Sequence, residues 1–419
     1  MKPLPPDFRS PSLLRDHVLK TMAFYDARCV DPSGGFFHFF KDDGRVYDRS
    51  TRHLVSSARF VITHAMAARH FPQHERAGAW LQAARHGLAF LEQAHRDPET
   101  GHYAWLLHWD EGQKSVIDGS LRCYGLAFVL LAHAEALRAG IAEAAEGLQR
   151  CYALMESRFW EPSHGLYADE INPEGELLPY RGQNANMHAC EAMLACYEAT
   201  RDTRYLERAA TLAYEVTEVL SRHSGGLIWE HYHADWSPDW EHNRDNPNDI
   251  FKPWGFQTGH LAEWAKLLLT LERLRPNHPS NEQLVHRARE LFAAAVQHGW
   301  DRQHDGLVYG FARDEAPGHE GRYTICDGHK YFWVQAESIA AAALLAERTL
   351  EGGYWDWYDR LWEYSWTHMV DHQHGAWYRI LSPDNKKLSD EKSPAGKTDY
   401  HTMGACYEVI ASLARTPSA

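Results

Sequence analysis

Two histidines, His260 and His401, each stand near the start of a helical apolar pattern, and a glutamate follows the first in His260-x-x-Glu263. Imidazole is the side chain whose ordinary pKa lies closest to neutrality, so such a pair is suited to taking and returning protons. The same spacing recurs in His188-x-x-Glu191, and Glu337 lies on another apolar segment. A His and a Glu three residues apart share one helical face, which fits two kinds of chemistry. One is a carboxylate-bridged metal centre, and the other is an imidazole held in one tautomer by its neighbour. Such metal centres need further glutamates from adjacent helices, and Glu337 is the only clear supplier. The ligand count therefore favours metal-free acid–base chemistry, with Glu263 expected to orient His260. Among 28 histidines most must be bystanders, and His64 and His298 read as ordinary surface or core groups. No P-loop, dinucleotide fingerprint or G-x-S-x-G elbow stands in a suitable context, so no cofactor is expected.

These residues need a scaffold, and the chain supplies a repeated one. Six glycine-bearing hairpins are anchored at Gly35, Gly101, Gly165, Gly226, Gly306 and Gly375, with spacings of 66, 64, 61, 80 and 69 residues. A unit repeating at that period marks a repeat architecture. Apolar periodicity predicts helices over 10–28, 50–70, 76–95, 120–138, 141–158, 183–200, 203–221, 259–275, 281–299, 331–348, 354–370 and 399–414. Gly140 suits a left-handed cap, Thr258 an N-cap for the eighth helix, and Asp399 or Thr398 one for the twelfth. Short turns join the second helix to the third, the fourth to the fifth and the sixth to the seventh, so the hairpins gather at the opposite end. Even-numbered helices are the more apolar set and are expected to form the inner ring of a closed (α/α)6 barrel with hairpins at its mouth. Their first two turns carry Arg52, His53, Arg59, Arg122, Tyr124, Asn184, Asn186, His188, His260, Glu263, Trp333, Glu337, Tyr400 and His401. Polar groups on apolar inner faces are costly unless paired or used, so their recurrence favours one site at one mouth. Glu191 and Glu198 read as lining or capping the sixth helix. His231, His233, His242, Tyr103, Trp105 and Trp109 either edge the pocket or are bystanders.

The bulk properties narrow the partners. With 44% apolar residues and 16 Trp, 20 Tyr and 16 Phe, the 419-residue chain can bury a large core, and no linker interrupts it. One domain spanning 1–419 is expected. The net charge of −14 argues against nucleic acid or an anionic membrane as partner. Seven cysteines, odd in number and without a C-x-x-C pair, read as reduced thiols. The first residues lack the apolar segment of a signal peptide, and the run from Ile339 to Ala346 is too short to span a bilayer. A cytoplasmic protein, monomer or homodimer, is the expectation.

Four segments, RGQNANMHACEAMLACYEAT (181–200), FKPWGFQTGHLAEWAKLLL (251–269), KYFWVQAESIAAAALL (330–345) and KTDYHTMGACYEV (397–409), resemble the N-acylglucosamine 2-epimerase superfamily in order and spacing. Arg59 and Tyr124 fall in register, and the likeness covers essentially the whole chain. Within that superfamily the chain is most similar to the bacterial aldose–ketose isomerase branch of mannose and sulfoquinovose isomerases. The resemblance implies an (α/α)6 barrel, metal-free isomerisation of a monosaccharide such as mannose, and a catalytic pair at His260 and His401. It also implies that Arg59, Tyr124, Asn184, His188, Glu263, Trp333 and Glu337 line the pocket. Lys252 stands where an Arg is common, which bears on binding of an anionic substituent.

Aldose–ketose exchange moves a proton between C2 and C1 through a cis-enediol. On this reading His401 moves the carbon-bound proton, His260 assists ring opening, and Arg59 stabilises the enediolate oxygen. A sugar 2-epimerase would use the same histidines and return the proton to the other face of C2. Glycoside hydrolysis through Glu263 and Glu337 would leave both histidines unexplained. A sugar- or protein-binding role without catalysis would not need them.

Overall fold

The computed structural model describes residues 6–26, 28–316, 319 and 321–415. Among the described residues, twelve α-helices lie where the apolar periodicity places them: α1 Pro11–Asp26, α2 Leu54–His70, α3 Ala77–Phe90, α4 Cys123–Arg138, α5 Ala144–Arg158, α6 Gln183–Thr200, α7 Thr203–Tyr214, α8 Thr258–Leu274, α9 Asn281–Gly299, α10 Phe332–Thr349, α11 Gly352–Tyr364 and α12 Tyr400–Arg415. The residues predicted to extend α3, α7 and α11 form a wider π-helical turn at Leu91–His95, Glu215–Val219 and Ser365–Met369.

The even helices pack in sequence, α2 on α4, α4 on α6, α6 on α8, α8 on α10, α10 on α12 and α12 on α2, which closes an inner ring. They are buried nearly all round: in α10 every residue from Val334 to Ala346 is buried. An outer helix such as α7 buries only Tyr205, Ala209, Leu212 and Ala213, one stripe facing inward. Gly140 turns α4 into α5 at φ +90°, as its spacing predicted. Asp202 caps α7 by accepting the Arg204 N–H at 3.1 Å. Thr258 does not cap α8: it is the first helical residue, and its hydroxyl is buried without a partner. Asp399 stands just before α12 at φ +52° and accepts the Thr402 hydroxyl at 3.1 Å.

All six hairpin glycines adopt φ between +66° and +90°, the left-handed region in which other residues are strained. Each hairpin is hooked to the ring. Asn186 of α6 clasps the Tyr167 backbone N–H and C=O at 2.8 and 3.0 Å. Gln335 of α10 holds Leu307 in the same way at 3.0 and 2.8 Å. Buried cations in the strands before inner helices add ion pairs to hairpin acids: Arg52 with Asp31, Arg181 with Glu161, Lys330 with Asp301 and Lys392 with Asp371.

Short antiparallel sheets stitch each unit to the next. Residues 51–53 pair with 106–108, 121–122 with 170–171, 181–182 with 231–232, 256–257 with 310–311 and 330–331 with 380–381. The sixth sheet pairs Glu391–Ser393, ahead of α12, with Phe39–Lys41 of the first hairpin, Phe40 opposite Ser393. It joins the last unit to the first, and all six sheets stand at the end from which the inner helices start. No helix among the described residues is long and apolar enough to cross a membrane.

Candidate active site

The starts of the inner helices converge on one cavity, walled by Arg59, Tyr124, Asn184, His188, His260, Glu263, Trp333 and His401. Ile250, Phe251, Tyr309, Phe332, Arg379 and Lys397 complete the wall from the hairpins and helix entries. Glu337 does not reach this wall. It lies one layer beneath, and its Oε1 is 2.7 Å from His401 Nδ1.

Gly259 explains how α8 presents His260. A Cβ there would lie 2.2 Å from the Trp333 ring, so glycine lets the indole close against the helix. The indole then packs against both histidines, with ring centroids 5.1 Å from His260 and 5.8 Å from His401.

His260 is not oriented by Glu263, in contrast to the expectation from their spacing. Its Nδ1 lies 2.9 Å from both oxygens of Glu230, a residue of the fourth hairpin. Glu230 also accepts from Gln183 Nε2 at 2.8 Å, and Trp264 Nε1 holds the Gln183 oxygen at 2.8 Å. Each of the two histidines therefore has a glutamate behind Nδ1, which leaves Nε2 as the nitrogen free for chemistry.

Burial pushes the His401 imidazole well below its ordinary pKa, and nearby Arg59 adds to this, so the ring is neutral; with Nδ1 against Glu337, its lone pair lies on Nε2. Burial, reinforced by the Glu337 charge, pushes Glu263 well above the usual carboxylate range. Both Glu263 oxygens are buried without a hydrogen-bond partner. A neutral carboxyl facing the cavity is a hydrogen-bond donor. Asn184 Oδ1 is likewise buried and unpartnered. Arg59 donates to Gly396 O and lies 3.4 Å from the Tyr124 hydroxyl, with its guanidinium 4.2 Å from the Phe128 ring. His188 Nδ1 bonds Glu191 at 3.0 Å, and Tyr124 packs against it edge-on. Burial brings Lys397 down to about 8, but its ammonium is spent on Trp377 O and Asp399.

Other polar residues near the inner helix starts serve the scaffold. Arg52 pairs with Asp31, and Asn186 clasps Tyr167. Arg122 stacks over Trp105 and bonds Asp118. His53 is buried against Trp105 and Phe251. Tyr400 donates to Glu191 below the site. His231 bonds Pro253 O at 2.7 Å. Lys252 lies 3.9 Å over the Tyr180 ring and off the cavity wall.

Glu230, Gln183, Lys266 and Arg379 escaped the sequence reading. Glu230 sits in a hairpin with no periodic signal. Lys266 did leave one: it is a lone cation in the apolar inner-helix run LAEWAKLLL.

Ligand atoms of Glu263, Glu337 and His401 lie within 4.8 Å of one another, as do those of His188, Glu191 and Glu263. The Lys266 ammonium already sits among these acids, 2.5 Å from Glu337 and 3.9 Å from both Glu191 and Glu263. Lys266 also lines a second cavity of about 230 Å³, which enters the barrel from the other end and reaches the underside of His401.

The barrel's inner ring carries His260 and His401, backed by Glu230 of the fourth hairpin and Glu337 of α10, an arrangement suited to acid–base chemistry on a small polar molecule. The chain belongs to the N-acylglucosamine 2-epimerase (GlcNAc 2-epimerase) family, whose pattern it matches over residues 35–405. It is 48% identical to a D-mannose isomerase of Marinomonas mediterranea over 97% of this chain and 99% of the relative. A crystal structure of a D-mannose isomerase, 48% identical, superposes with a TM-score of 0.90 over 97% of this chain and 99% of that one. A cellobiose 2-epimerase from Spirochaeta thermophila shares the fold at 22% identity, with a TM-score of 0.81 over 98% of this chain and 99% of that one.

Proposed function

We propose that this chain is an aldose–ketose isomerase that interconverts D-mannose and D-fructose without a metal ion. The observation that carries the reading is the pair of dyads His260–Glu230 and His401–Glu337, both packed against Trp333. The near-full-length identity to a D-mannose isomerase supports the choice of sugar. Ring closure leaves no seam in the barrel, which supports a single catalytic domain.

In this mechanism His260 assists opening of the pyranose. His401 Nε2 removes the C2 proton and becomes an imidazolium, whose Nδ1–H faces the Glu337 carboxylate. The electrons of the C2–H bond form the enediolate, and His260 moves the hydroxyl proton from O2 to O1. His401 then returns its proton to C1, which gives the ketose. Arg59 and the neutral Glu263 carboxyl donate to the oxygen on which charge develops, where fixed donors act most strongly. Asn184, His188 and Tyr124 hold hydroxyls, and Trp333 covers a ring face. Lys266 occupies the place among the carboxylates that a cation would take.

The test is proton NMR of D-mannose with EDTA-treated enzyme in D2O. Fructose as product supports the isomerase. Glucose as main product would assign the chain as a 2-epimerase, and unchanged mannose would reject both.

A further inference from the structure

Three inner helices send a carboxyl to one ammonium beneath the cavity: Glu191 from α6, Glu263 from α8 and Glu337 from α10. One ammonium serves all three, that of Lys266. It is in contact with Glu337 at 2.5 Å and stands off at 3.9 Å from the other two. The remaining charged and titratable groups around it are Arg59 of α2, Tyr124 of α4, His188 of α6, Arg273 of α8, and Tyr400, His401 and Glu408 of α12. None of these but Lys266 makes a cationic contact with Glu337. On its other side Glu337 faces His401 Nδ1. The order is therefore cation, carboxylate, imidazole, cavity.

Lys266 takes no part in the wall of the substrate cavity and instead faces the second cavity below it. A bound sugar would not touch it. We infer that Lys266 is a positioning residue for this reaction: its ammonium holds Glu337 as the anionic partner of His401 from the side of the barrel that substrate does not reach. The inference rests on the isomerase reading given above.

The consequence follows from the charge balance of proton abstraction. When His401 Nε2 takes the C2 proton, the ring gains a positive charge next to Glu337. A carboxylate stabilises that imidazolium, and a neutral carboxyl does not. Burial already raises Glu337, and Lys266 is the largest influence opposing it. Without the ammonium, Glu337 keeps its proton to higher pH and His401 loses the counter-charge that makes it a competent base. Lys266 itself neither gives nor takes a proton in the cycle.

The experiment compares wild type, Lys266→Met, Lys266→Arg, Glu337→Gln and the Lys266→Met/Glu337→Gln double variant, with D-mannose as substrate across the neutral pH range. Lys266→Met is expected to lower kcat about a hundredfold, in the range a general base contributes, with KM within about threefold of wild type because uniform binding is untouched. Its acid limb in kcat/KM is expected to move up by about one pH unit or more as Glu337 holds its proton longer, and Lys266→Arg is expected to restore most of the rate. In the double variant, the lysine change is expected to cost less than about threefold beyond Glu337→Gln, because both act through one group. The double variant removes both buried charges together, so it carries the test even where the single lysine variant fails to fold. A wild-type kcat and acid limb in Lys266→Met, or costs that multiply in the double variant, would overturn the inference alone. Absence of mannose turnover in the wild type would overturn the isomerase reading and this inference with it.

Discussion

His260 Nδ1 lies 2.9 Å from both carboxylate oxygens of Glu230, although Glu230 belongs to a hairpin and His260 to an inner helix 30 residues on. The contact is built by the short sheet pairing 181–182 with 231–232, which also sets Gln183 N–H on Glu230 O at 3.1 Å. It divides the labour of the two nearby glutamates. Glu230→Gln is expected to cut kcat about ten- to a hundredfold through loss of the tautomer-fixing carboxylate. Glu263→Gln keeps a donor in place and is expected to retain more activity than Glu263→Ala. Equal losses in Glu263→Gln and Glu263→Ala would sink the neutral-donor role.

Both histidines are expected to be indispensable. His260→Ala and His401→Ala should each lose about a thousandfold or more in kcat/KM, in line with removal of a general acid–base group. Circular dichroism should show the fold retained. Turnover near wild type in either variant would refute its assignment.

Asn184 and Asn186 are neighbours on α6 with opposite duties. Asn184→Ala removes a group with a free buried oxygen on the cavity wall and should raise KM without lowering Tm. Asn186→Ala leaves the Tyr167 N–H and C=O without their clasp and should cost about 1–3 kcal/mol of stability. Reversal of the two patterns, measured by kinetics and thermal melting, would contradict the placement.

Gly259→Ala drives a methyl into Trp333, whose ring lies 2.2 Å from the site of that carbon. Overpacking of this kind costs about 1–3 kcal/mol. Because Trp333 touches both histidines, kcat should fall along with Tm. A variant with unchanged tryptophan fluorescence and unchanged kcat would show that the close approach does not matter.

Acid should destabilise the fold through buried neutral histidines. Burial brings His17 and His95 down to about 4 and His53 to about 3, and it holds His38 and His401 well below the ordinary value. Below about pH 6.5 the unfolded chain binds protons at these sites and the folded chain does not, so stability is lost as pH falls towards 4. Each such group contributes a slope of up to about 1.4 kcal/mol per pH unit in that window. A flat Tm between neutral pH and mild acid would refute this.

Much of the architecture was legible because it is periodic. Apolar spacing placed the helices, and the left-handed glycines placed the hairpins between them. The cavity wall was legible for a related reason: groups such as His260, Trp333 and His401 interrupt apolar inner helices near their starts. What the spacing misassigned was partnership. Three residues on one helix suggested Glu263 as the support of His260, but a sheet contact brought Glu230 closer. Polar position alone also could not separate Asn184, which faces the cavity, from Asn186, which faces a hairpin backbone. Thr258 looked like a cap by type, yet the helix begins at Thr258 itself, after the extended pair Phe256–Gln257.

The pairing of 391–393 with 39–41 has a consequence in time as well as in space. During synthesis the strand at Phe39–Lys41 waits with one open edge until residues 391–393 have been made. An open edge invites pairing with other chains, and contacts so distant in sequence form slowly. Since α12 carries His401 and follows the closing strand directly, the same late event that seals the barrel also delivers the second histidine. On the proposed mechanism, a nascent chain cannot turn over substrate until its ring is shut.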